Sequence, residues 1–239
     1  MRILSYNVRS LKQDRHAVLG VLRATDADVV ALQEPPKWWA TQARLQALAR
    51  DAGLRVAVHG GVTAARTTAL LVRPGVEVLG ARARRLPPRI VRRSHWFPTL
   101  RGAAVARLRF PATEHGGAFE ATVASVHLSL DVDERAGHLP RIESAIAGLA
   151  PDGWGDVVVA GDLNEEPGGP AWRVFEAHGL TDAGAGDGRP TFSTTSPRKR
   201  LDVVLAGERL SAVARRVDLD GVARASDHFP VVAEVLPLA

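Results

Sequence analysis

The chain has no cysteine, one tyrosine, one methionine and few aromatic residues among its 239. Without cysteine, disulfides and thiolate metal sites are excluded, and any metal would be held by oxygen or imidazole. No apolar run approaches the roughly 20 residues that a helix needs to cross a bilayer, so no membrane span is expected. No signal-peptide core precedes MRILSYNVRS, which enters an alternating strand at once, and a cytoplasmic location is the expectation. Internal repeats and composition shifts are also missing. Residues 1–239 therefore read as one large α/β domain, expected as a monomer.

Lysine is scarce as well, which bears on how the charge is read. Lys and Arg together number 31 against 26 acidic residues, a net charge of +5. Only Lys12, Lys37 and Lys199 are lysines. A basic chain invites an anionic partner, nucleic acid first. Alanine and glycine are abundant too, a bias that a GC-rich coding sequence produces by itself, so the charge points to a partner only where arginines cluster. They cluster between Arg82 and Trp96: Arg82, Arg84, Arg85, Arg89, Arg92 and Arg93 surround Pro87-Pro88, and His95, Trp96 and Phe97 follow. Such a stretch is either a solvated basic loop or a loop that contacts phosphates. Arg84, Arg85, Arg92 and Arg93, with Arg9 and Arg101, are the candidate substrate-binding residues.

What is present is organised around VVVAGDLNEEPGG, Val157 to Gly169. The β-branched run Val157 to Val159 reads as a fully buried strand. The pattern breaks at Gly161, which is expected to leave Asp162 and Asn164 just past the strand's end. Pro167-Gly168-Gly169 then permits a reversal before a helix over Ala171 to His178. A carboxylate and a carboxamide at a rigid strand's end are hard oxygen ligands, suited to Mg²⁺ or to a phosphate-bound water. The same spacing also suits a plain Asx turn with Asn164 capping the loop.

Other strand ends carry similar side chains. Ile3 to Val8 alternates as a first strand that ends in Asn7, Val8 and Arg9. Asp28 to Gln33 is a second, with Glu34 directly before Pro35-Pro36. A strand from Ala118 to Leu128, expected to pair with Gly102 to Phe110, carries His127 at its tip. Asp202 opens a strand in RLDVVLAG, and SDHFPVV puts Asp227 and His228 in a turn before a final strand to Val235. Helical spacing covers His16 to Ala24, Trp39 to Ala52 and Val132 to Leu149, the last around an awkward Pro140. Further strands are expected at Leu54 to His59, Thr67 to Val72, Val76 to Leu79 and Ala212 to Leu219.

Asn7, Glu34, His127, Asp162, Asn164, Asp227 and His228 thus share one kind of place, the strand ends where sites form in layered α/β folds. Glu34, Asp162 and Asp227 bring charge, and Asn7 and Asn164 neutral oxygens. That is a donor set for Mg²⁺ or Mn²⁺ rather than for structural zinc. Taken singly, Glu34 also reads as an ordinary solvated carboxylate. Two imidazoles can exchange protons with a phosphate ester near neutral pH, and Asp202 could hold one of them in the right tautomer.

With SYNVR, DVVALQE, SVHLS, AGDLN, TF…RLDVVLAG and SDHFPV in this order, the sequence resembles the endonuclease/exonuclease/phosphatase superfamily. Each piece is weak alone; six in order, from residue 5 to residue 231, cover nearly the whole chain. The resemblance implies an α/β (α+β) fold, a four-layer α/β sandwich with two mixed β-sheets face to face and helices outside, and divalent-metal-dependent hydrolysis of phosphate esters. Carried over by position, Asn7, Glu34 and Asp227 would be metal-site residues, and Asp162 and Asn164 would bind the attacking water or a metal. His127 would contact phosphoryl oxygens or the leaving group, and His228 would be oriented by Asp202. There are departures. Pro35, Pro36 and Lys37 stand where repair nucleases usually continue with Thr-Lys, Val203 replaces a tyrosine after Asp202, and no tyrosine lies in the middle of the chain. These lower the repair-enzyme reading and leave a compact general member.

Three functions compete. The first is a phosphodiesterase or nuclease acting on nucleic acid, slightly favoured by the arginine cluster. The second is a phosphatase or phosphodiesterase acting on a small phosphorylated molecule or lipid headgroup. The third, an inactive binding module on the same fold, would need a lost ligand or histidine, and none is missing.

Overall fold

The structure, a computed structural model, describes residues 1–37, 40–61, 64–88, 100–112, 117–215 and 221–238. The described strands form two mixed six-stranded sheets. Sheet one contains β1 (Arg2–Asn7), β2 (Val29–Gln33), β3 (Arg55–Val58), β4 (Thr68–Val72), β11 (Leu210–Arg215) and β12 (Val231–Pro237), in the order β11-β12-β1-β2-β4-β3. Sheet two contains β5 (Glu77–Arg85), β6 (Gly102–Phe110), β7 (Phe119–His127), β8 (Val157–Asp162), β9 (Thr181–Asp182) and β10 (Asp202–Ala206), in the order β5-β6-β7-β8-β10-β9. Each sheet holds one parallel pair, β1–β2 and β7–β8, and the remaining pairs are antiparallel.

Three apolar layers hold the sandwich together. Between the sheets, Ile3, Val29, Ala31 and Leu70 of sheet one meet Ala104, Ala106, Val123, Val158, Ala160 and Val204 of sheet two. Helices α1 (Arg15–Thr25), α2 (Thr41–Asp51) and α5 (Val222–Ala225) close the outer face of sheet one through Leu19, Leu22, Leu45 and Leu48. Helices α3 (Val132–Ala147) and α4 (Pro170–Ala177) close sheet two through Leu139, Ile142, Trp172 and Phe175. Strands buried on both faces explain the near-continuous apolar runs in the sequence. Among the described residues, no helix is long and apolar enough to cross a membrane.

Strand direction decides where function can sit. A crossover through α1 connects parallel β1 and β2, and another through α3 connects parallel β7 and β8; with Asn7 and His127 both against Asp162, all four strands end at one edge of the sandwich. Their last residues are Asn7, Gln33, His127 and Asp162. Antiparallel β10 begins at that same edge with Asp202, directly opposite Asp162. Alternation then points these side chains inward, because Asn7, His127, Asp162 and Asp202 are in phase with Ile3, Val123, Val158 and Val204 of the inter-sheet core. The inter-sheet layer is oily along its length and polar at one end.

Two elements run further than the sequence pattern predicts. β8 does not break at Gly161 but continues through it to Asp162, so Asp162 is the last strand residue rather than the first loop residue. Glycine is needed there for closeness, not for a turn: a Cβ at position 161 would stand 2.1 Å from the Val126 carbonyl oxygen. β5 extends to Arg85, which puts Arg82, Arg84 and Arg85 on a strand instead of in a loop. Arg89, Arg92, Arg93, His95, Trp96 and Phe97 lie outside the described residues, as does Trp39 at the expected start of α2. Helix α3 passes through Pro140 unbroken.

A paired substitution tests the close packing at the strand end. Gly161→Ala is expected to lower stability by about 2 kcal/mol or more, because backbone of β7 must move away from β8. Gly20→Ala, on the exposed face of α1 with nothing within 4 Å of its added methyl, is expected to raise stability by about 0.5 to 1 kcal/mol. Denaturant midpoints shifting in opposite directions support this packing; equal shifts contradict it.

Candidate active site

Asp162 is the hub of the polar edge. Its Oδ2 lies 3.1 Å from Asn7 Nδ2, 3.4 Å from His127 Nε2 and 3.8 Å from His228 Nε2. Its Oδ1 accepts the backbone N–H of Asn164 at 2.9 Å. That last bond is an Asx turn, so the plain reading of the D-x-N spacing and the functional one coexist. Asn164 sits with φ near +50° and donates its side-chain amide to Leu128 O at 2.9 Å, which ties the end of β8 to the end of β7.

The second carboxylate belongs to a dyad. Asp202 Oδ2 is 2.9 Å from His228 Nδ1, while its Oδ1 is buried with no hydrogen-bond partner among the described residues. Both Asp162 and Asp202 are all but inaccessible to solvent, at 1% and 0% exposure. Burial makes the charged form of Asp162 costly, and the like charge of Asp202 adds to that. Against His228, the Asn164 N–H and Asn7, these two effects prevail and lift the Asp162 carboxyl to about 7. Burial also opposes a charge on His228. Asp202 outweighs it through charge and hydrogen bond, with Asp162 and Asp227 adding, and raises the imidazole to about 9.

His127 is the opposite case. The guanidinium of Arg101 donates to its ring, with Nη1 lying 2.8 Å from Nδ1 and also against Nε2. Burial, then the charges of Arg101 and His228, hold this imidazole well below its ordinary value. His127 is therefore neutral, and its 3.4 Å approach to Asp162 is not an ion pair. The two histidines, alike in the sequence, are divided by their neighbours into a neutral donor and a cation. Arg101 is itself only 6% exposed. Burial makes its charge harder to keep, and the carboxylates of Asp162, Glu34 and Glu134 offset part of that cost.

The remaining candidates line the rim. Glu34 follows β2 with φ near +48°, half-buried, and its Oε2 takes Lys37 Nζ at 3.2 Å. Asp227 is half-buried and pairs with Arg9 Nε at 3.1 Å. Between them, Arg9, Ser10 and Leu11 form a left-handed turn with φ of 44°, 57° and 56°, and Ser10 N bonds Glu34 O at 2.7 Å. Five non-glycine residues in a rarely occupied conformation thus border this edge, as is common where function demands a fixed geometry. Of the six candidate arginines, Arg9 and Arg101 reach the site. Arg84 and Arg85 lie on β5 with opposite faces, and Arg92 and Arg93 are not described.

Several supporting residues carried no signal of their own in the sequence. Gln33 Nε2 bonds Ser125 Oγ at 3.3 Å, and Ser125 Oγ bonds Leu32 O at 3.1 Å, a polar bridge between the sheets beneath the site. Ser226 Oγ donates to Asn7 O at 2.6 Å and anchors the Asp227–His228 turn. Thr191 Oγ1 receives the N–H groups of Leu201 and Asp202, and the Phe192 ring lies 4.8 Å from that of His228. Hydroxyls flanking a motif were the available signal. Val203, a departure that lowered the repair-enzyme reading, faces the helix-side core and cannot touch the site.

The donor chemistry fits a hard divalent cation. Four carboxylates gather at the edge with amide oxygens and no sulfur. The ligating atoms of Asp162, Asp202 and His228 lie within 4.8 Å of one another. This group differs from the expected set of Asn7, Glu34, Asp162, Asn164 and Asp227, sharing only Asp162 with it. The orphaned Asp202 Oδ1 and the mutual repulsion of two buried carboxylates are what a cation at this edge would relieve.

Comparison with known proteins agrees with the geometry. The sequence profile described as Endonuclease/Exonuclease/phosphatase family matches residues 4–228. An endonuclease/exonuclease/phosphatase from Bacteroides vulgatus superposes with a TM-score of 0.74 at 18% identity, covering 99% of this chain and 98% of that one. The human Nocturnin catalytic domain, solved with a bound sulfate anion, gives 0.72 at 18% identity, covering 99% and 94%. The mannosyl-6-phosphatase Bt3783 of Bacteroides thetaiotaomicron gives 0.71 at 16% identity, covering 99% of each chain. Comparison with the curated proteins yields no match. A profile spanning nearly all of the sequence, a matching two-sheet fold and a carboxylate–histidine edge lead to one conclusion: the chain belongs to the endonuclease/exonuclease/phosphatase family of phosphoester hydrolases.

Proposed function

We propose that the chain is a Mg²⁺- or Mn²⁺-dependent phosphodiesterase acting on nucleic acid, with residues 1–239 working as one catalytic domain. The observation that carries this reading is the convergence of Asn7, His127 and His228 on Asp162, with Arg101 behind His127. In-line attack on a phosphodiester needs a water that loses its proton, a stabilised leaving oxygen, and neutralised charge on the non-bridging oxygens. Asn7, Glu34 and Asp227 would hold the metal, with Asp162 and Asn164 at the water or the metal. When bound, the cation would polarise the phosphoryl group and offset its charge.

The protein's own groups divide the proton work. His228 carries its proton up to about 9, so at neutral pH it supports negative charge rather than removing a proton. Asp162, lifted to about 7 by burial and Asp202, is the stronger candidate for accepting the water's proton. Neutral His127 donates to a phosphoryl or leaving oxygen, and Arg101 adds charge at the same place. Asp202 keeps the His228 ring in orientation. A small phosphorylated substrate is the second reading, supported by the activity named for the Bt3783 structure and by a site that needs only one phosphate.

Activity is expected to vanish with EDTA and return with Mg²⁺ or Mn²⁺; full turnover in chelator would end the metal assignment. Glu34→Gln should raise the metal concentration required while leaving the melting temperature of the metal-free protein within a few degrees. A large drop in that temperature would make Glu34 structural. Plasmid DNA, RNA, bis-p-nitrophenyl phosphate, inositol polyphosphates and sphingomyelin, assayed together, separate the two substrate readings.

The pH profile tests the division of labour. With the metal bound, deprotonation of Asp162 should make kcat/KM climb and loss of the His228 proton should make it fall, giving a bell whose acid limb lies below the metal-free value of about 7, because a cation favours the carboxylate. A single limb rising through 9 would make His228 the base. His228→Ala should cost on the order of 10² to 10⁴ in turnover. Asp202→Asn should cost much of the same amount, and the double variant little more than His228→Ala, because groups acting as a unit are non-additive. Multiplying losses would separate Asp202 from His228.

A further inference from the structure

The edge of sheet two carries one continuous register row beyond the catalytic group. Asp202 pairs Asp162, Asp162 pairs His127, and one step past the Ala103–Val126 pair His127 faces Gly102, which pairs Arg85 on β5. All five positions share the inner face. Arg85 is in phase with Ala81 and Ala83, which oppose Ala106 and Ala104 of the inter-sheet core. Arg82 and Arg84, one residue out of phase, point to the helix side, where Arg82 reaches Gly148 beside α3. Strand alternation therefore splits the arginine cluster, and Arg85 alone of these three faces the active edge.

Arg85 finds a second arginine there. The loop between β3 and β4 folds over the row so tightly that a Cβ on Gly102 would stand 2.2 Å from Ala65 O. The loop is pinned at both ends: Arg66 N bonds Gly61 O at 2.9 Å, and Glu34 N bonds Thr67 O at 2.9 Å. It holds Arg66 at φ near +52°. Arg66 Nε is buried with no hydrogen-bond partner, and neither Arg66 nor Arg85 has a carboxylate partner among the described residues. Burial and the charge of Arg85 both make the Arg66 cation harder to keep. About half of the described arginines are ion-paired, among them Arg107, Arg109, Arg209 and Arg215. Two like charges that feel each other at one edge, without a carboxylate partner, form a place that an anion would stabilise.

We infer that Arg66 and Arg85 form a second phosphate subsite, which holds a non-scissile phosphate of a nucleic-acid chain whose scissile phosphate lies at Asp162. Three strand spacings of ~4.8 Å put the row position of Arg85 about 14 Å from that of Asp162, a distance a polynucleotide spans within a few links and a single phosphomonoester does not. Arg101 occupies the interval between them. The subsite rests on the phosphodiesterase reading above and narrows it: the substrate is a chain bearing several phosphates, gripped along its backbone rather than by its bases.

The experiment compares bis-p-nitrophenyl phosphate, the dinucleoside monophosphate of thymidine and a thymidine hexanucleotide, with Mg²⁺, for the wild type and for Arg66→Gln/Arg85→Gln. The wild type should prefer the hexanucleotide to the dinucleotide, and the double variant should reduce that ratio of kcat/KM about tenfold, through KM. In EDTA, the log–log salt slope of hexanucleotide binding should fall by about 0.7 for each phosphate that the variant no longer neutralises. Arg66→Lys/Arg85→Lys should restore most of the slope, because charge rather than fork geometry sets it. An unchanged ratio and slope, an equal loss on all three substrates, or a wild type indifferent to chain length each overturns the subsite alone. A wild type that hydrolyses no phosphodiester overturns the phosphodiesterase reading, and the subsite with it.

Discussion

Two buried carboxylates, Asp162 and Asp202, stand directly opposite each other at the end of a dry inter-sheet layer, and the chemistry of the edge follows from that opposition. Neither charge is solvated, so each needs help from the protein. His228 answers by carrying a proton well above its ordinary range, and Asn7 and the Asn164 N–H answer by donation. Even so, Asp162 holds its proton more tightly than a solvated aspartate does. A divalent cation is the natural complement of what remains. The same dryness keeps His127 neutral beside Arg101. One arrangement thus brings a carboxyl that keeps its proton, a charged imidazole, a neutral imidazole and a group that could hold a metal within a few ångströms of one another.

The arrangement depends on topology more than on any loop. Each sheet places one crossover between parallel strands, and both crossovers deliver their carboxyl ends to the same edge. Antiparallel neighbours begin where those strands end, which is how Asp202 joins a group built mostly from strand ends. Hydrogen-bonded strands leave little freedom in the spacing of such side chains, and the site is positioned before any ligand arrives. Close backbone approach at Gly161 and Gly102 makes the same edge intolerant of added atoms.

The basic residues show a different logic. In the sequence, Arg82, Arg84 and Arg85 look like the start of one patch. On β5 they alternate, so that Arg82 and Arg84 turn toward α3 while Arg85 turns toward the site. Arg66, a residue in no cluster and in no motif, comes within reach of the charge of Arg85 on a loop of the other sheet. Charge density along a chain is therefore a poor guide to charge density in space whenever the charges sit on strands.

Much of this protein was legible in its sequence. Buried strands show as apolar runs, their ends as isolated polar residues, and the order of SYNVR, LQE, SVHLS, AGDLN, RLD and SDHFPV marks the edge where Asn7, Glu34, His127, Asp162, Asp202 and His228 meet. The runs and their ends follow from local rules, since a period of two and a break in it need only a few neighbouring residues to be seen, while the order of the motifs carries meaning through the family resemblance. Other features needed the fold. The extent of β8 through Gly161 depends on the Val126 carbonyl beside it, and the extent of β5 on pairing with β6. That His127 is neutral and His228 charged depends on which residue of a distant strand lies against each ring. That Arg66 feels the charge of Arg85 depends on a loop of one sheet packed against Gly102 of the other. Burial, register and electrostatic neighbourhood are sums over residues far apart in the chain, so only the tertiary structure decided them, while the period and composition of each segment had already determined the strands on which they act.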